Sequence, residues 1–138
     1  MNKRIVLISC VSKKLSHLAK VRDLYTSPLF RLNLRYAESL KPDGIYVLSA
    51  KHGLLDLEQE VEPYEQTLNA MKSQEIRLWA AKVLRQLSEV SSPEVNEFVF
   101  LAGDRYRKYL LPHIKHARIP LQGLRIGEQL SKLKELTS

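Results

Sequence analysis

The stretch that decides the fold of this chain is YVLSAKHGLL, residues 46–55. The apolar run at residues 45–48 predicts a strand buried in a sheet. Small, cationic and titratable side chains follow it at once, at residues 49–53. In open α/β sheets, ligands bind in the crevice beyond the carboxyl ends of the strands. A strand that ends in these residue types therefore predicts the floor of a binding or catalytic site.

Two further apolar runs predict strands that end in the same manner. Arg4–Ser9 is rich in β-branched residues and does not alternate, which is typical of a strand buried on both faces of a parallel sheet. The run at residues 98–102 leads directly into GDRY, residues 103–106. Because the carboxyl ends of parallel strands meet at one edge, we expect all three strand ends to lie near one another.

Helical patterns alternate with these strands. Ser27 and Pro28 predict the start of a helix that runs to about Leu40. Ser73–Val90 is the clearest helix, capped by Ser73, and Trp79 falls inside its apolar stripe as a core residue. A short helix follows residue 103, and an edge strand is predicted at residues 117–121. The last amphipathic helix carries Ile126, Leu130, Leu133 and Leu136.

The order of these elements predicts an α/β fold in a single domain, residues 1–138. We expect a three-layer sandwich with a mainly parallel central sheet of about four strands, Rossmann-like or glycosylase-like. Two connections, residues 11–25 and 51–70, are long for a compact domain. The second could form a lid or a wall over the strand ends.

Composition and charge limit the classes of partner. No apolar run approaches the ~20 residues of a membrane span, so we expect no membrane association. No signal peptide pattern is present, and the single cysteine, Cys10, fits a reducing compartment, so we expect a cytoplasmic protein. The net charge of +7 favours anionic partners, nucleic acid first, although a merely soluble basic protein would have the same charge.

Several well-known motifs are absent from the sequence. There is no Gly-rich phosphate loop, no dinucleotide fingerprint, no zinc-spaced Cys/His set and no Gly-x-Ser-x-Gly elbow. These absences argue against an NTPase, a Rossmann dehydrogenase, a zinc deaminase and a standard α/β-hydrolase. We predict no cofactor and assign no metal ligand, but the sequence leaves open whether a metal joins Asp104 and Glu62. It leaves the oligomeric state open as well.

Four residues are candidates for acid–base chemistry. His52 and Lys51 follow the second strand, although His52 could simply hydrogen-bond the next loop. Asp104 follows the third strand, where capping the next helix and a catalytic role are about equally supported. Glu62 belongs to an acidic stretch that would ordinarily face solvent, but a turn fixed by Pro63 could aim it into the crevice.

The candidates for substrate binding lie at the same strand ends and in the two long connections. Small residues would let a ligand approach the backbone, cations would hold phosphates, and tyrosines would stack on a base. Ser9 could instead cap a turn, and Cys10 could be a small buried hydrophobe. The complete set is Ser9, Cys10, Lys13, Tyr25, Ser49, Tyr64, Gly103, Arg105 and Tyr106.

Four blocks of sequence together resemble a family of small bacterial and phage domains of uncharacterised function. They are LISCVSKK (residues 7–14), DLYTSPLF (residues 23–30), LSAKHGLL (residues 48–55) and EPYEQTL (residues 62–68). The last two are also similar to part of the YaaA-like peroxide stress proteins, although this chain departs from that pattern at Ala50 and His52. That resemblance implies DNA binding and protection of DNA from oxidation. More distantly, the layout resembles the uracil-DNA-glycosylase-type domain of base-processing enzymes, including archaeosine synthase.

Two functions of different classes are consistent with these patterns. The first is an enzyme that processes a nucleobase or nucleotide by cleaving an N-glycosidic bond. Its oxocarbenium-like centre would need Asp104 or Glu62, and its departing base a donor such as His52 or Lys51. If the substrate were DNA, the base would have to leave the duplex. The alternative is a non-catalytic basic DNA-binding protein of stress response or phage defence, with affinity that falls steeply with salt.

Overall fold

The computed structural model describes residues 2–9 and 13–138. Seven strands are present in this part of the chain. They are β1 (Arg4–Ser9), β2 (Ala19–Lys20), β3 (Gly44–Ser49), β4 (Gly53–Asp56), β5 (Glu60–Val61), β6 (Glu97–Leu101) and β7 (His116–Arg118). Five of them form one sheet in the order β4-β3-β1-β6-β7, and β2 pairs with β5 in a separate two-stranded ribbon. The fold is therefore mixed α/β with a mostly parallel sheet.

Five α-helices accompany the strands. They are α1 (Val21–Leu24), α2 (Pro28–Ser39), α3 (Ser73–Val90), α4 (Asp104–Arg107) and α5 (Ile126–Thr137). Two short 3-10 turns lie at Leu68–Ala70 and Leu111–His113. α2 packs against β1 and α5, whereas α3 packs against β4. No helix within the described residues has the length and apolar character needed to cross a membrane.

β1 is the central strand and pairs in parallel with β3 on one side and β6 on the other. Val6, Leu7 and Ile8 are all fully buried. Since consecutive side chains of a strand point to opposite faces, both faces of β1 are covered. The prediction of a strand buried on both faces is confirmed.

The sequence-based prediction for residues 51–70 was wrong at its beginning. Gly53–Asp56 is β4, which turns back and pairs antiparallel with β3. Residues 50–52, between β3 and β4, thus form the turn of a tight hairpin rather than the start of a long connection. The sheet has five strands instead of about four because this short edge strand has too few residues to show an alternating pattern.

The predicted fourth strand is present but lies earlier in the chain. Residues 117–121 were expected, whereas β7 covers His116–Arg118 and pairs in parallel with β6 at the sheet edge. Pro120 follows β7, which agrees with the missing N–H of proline. Leu121 is buried as part of the core without belonging to a strand.

The predicted helix starts are only partly right. Ser27 caps α2 as expected, because its Oγ accepts a hydrogen bond from the Phe30 backbone N–H at 3.1 Å. In α3 the N-cap residue is Lys72, not Ser73, and the Lys72 backbone N–H donates to Glu75 Oε1 at 3.1 Å. Trp79 is a core residue, as predicted.

The predicted apolar stripe of α5 is only partly buried. Leu133 is fully buried, but Ile126 is 65% and Leu136 is 43% exposed. The predicted helix is thus present, and its apolar face is buried only in part.

The long connection at residues 11–25 contains regular structure in its described part. β2 leads into α1, and an isolated bridge pairs Lys14 with Tyr25. The Leu15 backbone N–H donates to the Leu24 carbonyl, and the Thr26 N–H donates to the Lys13 carbonyl. β5, in the other long connection, pairs with β2. The two long connections are therefore joined to each other.

Candidate functional site

A cleft of about 830 Å³ opens at the carboxyl ends of β1 and β6. Ser9 contributes from β1, and residues 100–107 contribute from β6 and α4. The other walls come from the connection after β5, from α2 and from the start of α5. The polar residues that line it are Ser9, Lys14, Asn33, Tyr64, Glu65, Gln66, Thr67, Asn69, Asp104, Arg105, Tyr106, Arg107 and Gln129.

The position of the cleft follows from the topology of the sheet. After β1 the chain forms β3 on one side of it, and it later returns to form β6 on the other side. Connections that leave neighbouring strands in opposite directions open a crevice between their carboxyl ends, which is where ligands bind in open α/β sheets. The volume of the cleft lies within the range common for small-molecule sites.

Asp104 and Arg105 bring opposite charges to the cleft. Gly103 is the N-cap of α4, and none of the described side chains caps this helix. Capping, one of the two roles considered for Asp104, is therefore not its role here. Both Asp104 and Arg105 are exposed and line the cleft. A carboxylate and a guanidinium are thus available to a ligand at the end of β6.

Tyr106 and Arg107 fix the short helix that carries Asp104. The Tyr106 ring packs edge-on against Trp79, with ring centroids 5.7 Å apart. Arg107 donates from Nη1 to the Ala102 carbonyl at 2.7 Å. Tyr106 is only 7% exposed, so most of its ring serves packing and a small part faces the cleft.

Tyr64 is held in the cleft wall by buried hydroxyl groups. Ser49 donates from Oγ to the Tyr64 hydroxyl at 2.7 Å. The hydroxyls of Tyr25 and Tyr64 are also hydrogen-bonded to each other. Ser49 and Tyr25 are both fully buried, whereas Tyr64 lines the cleft with 6% of its surface exposed. The fold thus links LSAKHGLL, DLYTSPLF and EPYEQTL through three side chains.

Lys14 places a positive charge against this tyrosine pair. Its Nζ lies 4.7 Å from the centroid of the Tyr64 ring and 5.7 Å from that of Tyr25. Both separations are within the range of cation–π attraction. Lys14 lines the cleft as well, so its ammonium group adds to the positive charge there.

The residues at the end of β3 form hydrogen bonds within the β3–β4 hairpin and do not reach into the cleft. Ser49 Oγ accepts a hydrogen bond from the His52 backbone N–H at 3.1 Å. Gln86 of α3 clamps the turn, because its Nε2 donates to the His52 carbonyl at 3.2 Å and its Oε1 accepts from the Leu54 N–H at 2.8 Å. Gly53 has a φ of +78°, a value that favours glycine.

The His52 ring packs edge-on against Tyr64, 5.4 Å between centroids, but it does not line the cleft. Partial burial lowers the pKa of His52 below its ordinary value, and the cations Lys51 and Lys82 lower it further. His52 is therefore neutral near pH 7. Its position behind Tyr64 allows it to support the wall of the cleft.

The structure brings together only part of the residues predicted as a site. Among the described residues of that set, Ser9, Tyr64, Gly103, Asp104, Arg105 and Tyr106 line one cleft. The exposed side chains of Lys13, Lys51 and Glu62 do not line it, and Ser49 and Tyr25 are buried behind it. Cys10 lies outside the described residues. The three strand ends lie side by side, as expected, because β1 pairs in parallel with both β3 and β6. The residues that follow β3 turn back into the hairpin and do not line the cleft.

Sequence reasoning missed Asn33 of α2. This residue is 5% exposed, lines the cleft, and its Oδ1 has no hydrogen-bond partner in the part of the chain that the structure describes. One signal could have identified it. Asn33 shares a helix face with Phe30, Leu34 and Ala37, where a polar residue interrupts an otherwise apolar stripe.

A metal site finds no support among residues 2–9 and 13–138. No group of three or more His, Cys, Asp or Glu side chains there is arranged to hold a metal ion.

Comparison with known proteins shows the family to which the chain belongs but assigns it no function. The chain is 30% identical to the uncharacterized protein YfjM of Bacillus subtilis (strain 168), over 95% of this chain and 93% of that protein. No solved structure matches it. The model of a family of unknown function, DUF6884, matches residues 5–135. The chain therefore belongs to the DUF6884 family.

Proposed function

We propose that this protein is an enzyme that binds a nucleotide in the β1–β6 cleft and hydrolyses its N-glycosidic bond. The observation that carries the proposal is the position of Asp104. Its carboxylate is exposed, lines the cleft beside Arg105 and is not used to cap α4. Cleavage of an N-glycosidic bond passes through an oxocarbenium-like centre. A carboxylate at this place can stabilise that positive charge or orient the attacking water.

The cations of the cleft would hold the phosphate of the nucleotide. Arg105 is exposed beside Asp104, and Lys14 lines the same cleft against Tyr64. A guanidinium binds phosphate oxygens with two parallel N–H groups, which fixes the orientation of the phosphate as well as its position. The sequence offered Lys13, Lys14 and Arg105 for this role, and of these Lys14 and Arg105 line the cleft.

His52, Lys51 and Glu62 have no direct catalytic role in this proposal, because none of them lines the cleft. His52 and Ser49 would instead keep Tyr64 in place, one through its ring and one through its hydroxyl. Tyr64 and Tyr106 present only small parts of their rings to the cleft. They would pack against the edge of a base rather than stack on its full face.

The finer features of the fold are also inferred. We infer a three-layer, Rossmann-like or glycosylase-like sandwich, which is supported by the burial of both faces of β1 and by the packing of α2 and α3 against different strands. We also propose that the chain is similar to YaaA-like proteins and, more distantly, to uracil-DNA-glycosylase-type domains. A cytoplasmic location is supported by the single cysteine, which allows no internal disulfide.

The direct test is release of free base from nucleosides, nucleoside monophosphates and single-stranded DNA, followed by chromatography. We expect Asp104→Asn to lower the rate of release by roughly 10²–10⁴-fold, the usual contribution of a positioned acid–base group. Its melting temperature should match that of the wild type, because Asp104 caps no helix.

Asp23→Asn is the matched control for that test. Asp23 is an exposed aspartate on α1 that does not line the cleft. It should leave base release unchanged. Absence of base release by the wild type from every substrate, or equal rates for wild type and Asp104→Asn, would refute the proposal.

A second function, non-catalytic DNA binding in stress response or phage defence, is supported by the net charge of +7. The chain has 22 Lys and Arg against 15 Asp and Glu. This excess of positive charge favours binding to phosphates. This function predicts sequence-tolerant DNA binding with a steep loss of affinity at high salt and no dependence on Asp104.

A further inference from the structure

Asn33 occupies a position that the packing of α2 would give to an apolar residue. Phe30, Leu34 and Ala37 are its neighbours on the buried face of the helix, and all three are buried hydrophobic residues. Asn33 is itself 5% exposed. A leucine, which has the same branching at Cγ, would continue the apolar stripe, so the hydrophobic core does not require an amide here.

The amide oxygen of Asn33 lowers the stability of the folded protein. Oδ1 is buried and has no hydrogen-bond partner within the described residues. A buried acceptor without a partner has lost its hydrogen bonds to water and gained none in return. Such groups in native structures call for an explanation, and the place of this one is the wall of the cleft.

We propose that Asn33 is a ligand-reading residue, whose Oδ1 accepts a hydrogen bond from an N–H group of the base when a nucleotide enters the cleft. This inference rests on the proposed function and specifies how its substrate is oriented. The base would lie at the buried end, against Asn33, and the phosphate at the exposed end, against Arg105.

The two ends of the cleft differ in the chemistry they offer. Asn33 is nearly enclosed, whereas Arg105 is an exposed side chain. A phosphate is strongly hydrated and favours the exposed cation, while a planar base loses less when it leaves water. A ligand with a donor at one end and an anion at the other therefore has one favoured orientation.

The test measures binding rather than turnover. Melting temperature is recorded with each of the four common nucleoside 5′-monophosphates for wild type, Asn33→Leu and Asn2→Ala. Asn2 is a control of the same residue type that is exposed and does not line the cleft. Without ligand, we expect Asn33→Leu to melt at or above the wild-type temperature, because it removes a buried unpaired acceptor.

With ligand, the variants should separate. The best nucleotide should stabilise wild type and Asn2→Ala to the same extent. Its affinity for Asn33→Leu should fall about tenfold or more, the loss expected when one buried hydrogen bond is removed. Methylation of the base at its donor N–H removes the same hydrogen bond from the side of the ligand. We therefore expect wild type to bind the methylated nucleotide about as weakly as Asn33→Leu binds the unmodified one.

A short single-stranded DNA of the preferred base identifies the source of the nucleotide. Stabilisation by the free monophosphate alone indicates that the ligand is a metabolite. Stabilisation by DNA indicates that the ligand is a base within a strand. In both cases, a smaller stabilisation of Asn33→Leu than of wild type supports the inference. Nucleotide binding that is equal in wild type and Asn33→Leu would overturn it while leaving the proposed function intact. So would a clear fall in the melting temperature of Asn33→Leu. Absence of nucleotide, base and DNA binding by wild type would overturn both.

Discussion

Gly53→Ala should destabilise the protein strongly, because two separate penalties act at this position. The backbone φ of +78° lies in the left-handed region, which costs a non-glycine residue about 1–2 kcal/mol. A β-carbon would also lie 2.2 Å from Gln86 Oε1, so Gln86 must move. Its movement breaks the hydrogen bonds to Leu54 and His52, worth about 1 kcal/mol each. The sum is a loss of about 3–4 kcal/mol of unfolding free energy.

The assay is urea unfolding followed by the fluorescence of Trp79, the single tryptophan of the chain. The same loss should lower the melting temperature by roughly 12–16 °C in a domain of this size. Gly103→Ala is the matched control. Gly103 has a φ of −67°, and a β-carbon there would meet no atom within 4 Å. Its unfolding free energy should change by less than about 0.5 kcal/mol.

A double-mutant cycle separates the two penalties. Gln86→Ala alone should cost about 2 kcal/mol, through the same two hydrogen bonds. Gly53→Ala with Gln86→Ala should still cost only about 3–4 kcal/mol, since the steric conflict has gone and the hydrogen bonds are lost once. Additive effects, or a Gly53→Ala protein as stable as wild type, would refute this account of the hairpin.

Further predictions concern the groups around β3. Trp79→Phe removes the hydrogen bond from Trp79 Nε1 to the Ser49 carbonyl at 2.8 Å and should cost about 1–3 kcal/mol in urea unfolding. Ser49→Ala removes the donor to the Tyr64 hydroxyl and the acceptor for the His52 N–H, and should cost a similar amount, about 1–3 kcal/mol; retention of full stability would show that these hydrogen bonds contribute little. Because the folded protein lowers the pKa of His52 below 6.5, the unfolded chain binds more protons below that pH. Stability should therefore be complete above pH 6.5 and fall as the pH drops through the range between the unfolded and folded values. His52→Gln should show a smaller fall between pH 7 and 5, and identical slopes would contradict this.

Local sequence patterns were sufficient for most of the secondary structure. The Ser27–Pro28 pair set the start of α2, and the 3.6-residue stripe set the full extent of α3. These features are local, since capping and periodicity depend on residues within one or two turns. The edge strand β4 was missed because four residues carry no periodic signal, and its existence depends on pairing with β3.

The site could be predicted only where it follows directly from strand ends. Gly103, Asp104 and Arg105 were found because they stand immediately after β6. Asn69 and Gln129 could not be found, because they reach the cleft only through the packing of distant segments. The sequence shows Asn33 only as a polar residue within an apolar stripe, which is a weak signal. The structure adds that its buried Oδ1 has no hydrogen-bond partner among the described residues.

The sequence by itself determined that this chain forms strands buried on both faces, alternating with amphipathic helices, and that polar residues stand where those strands end. It also indicated membership of an uncharacterised family, which the comparisons show. Only the tertiary structure decided which strand ends share a cleft, because that depends on β6 lying beside β1 while β3 turns back into a hairpin. Strand order and hairpin pairing arise from contacts between residues far apart in the chain, and no local pattern encodes them.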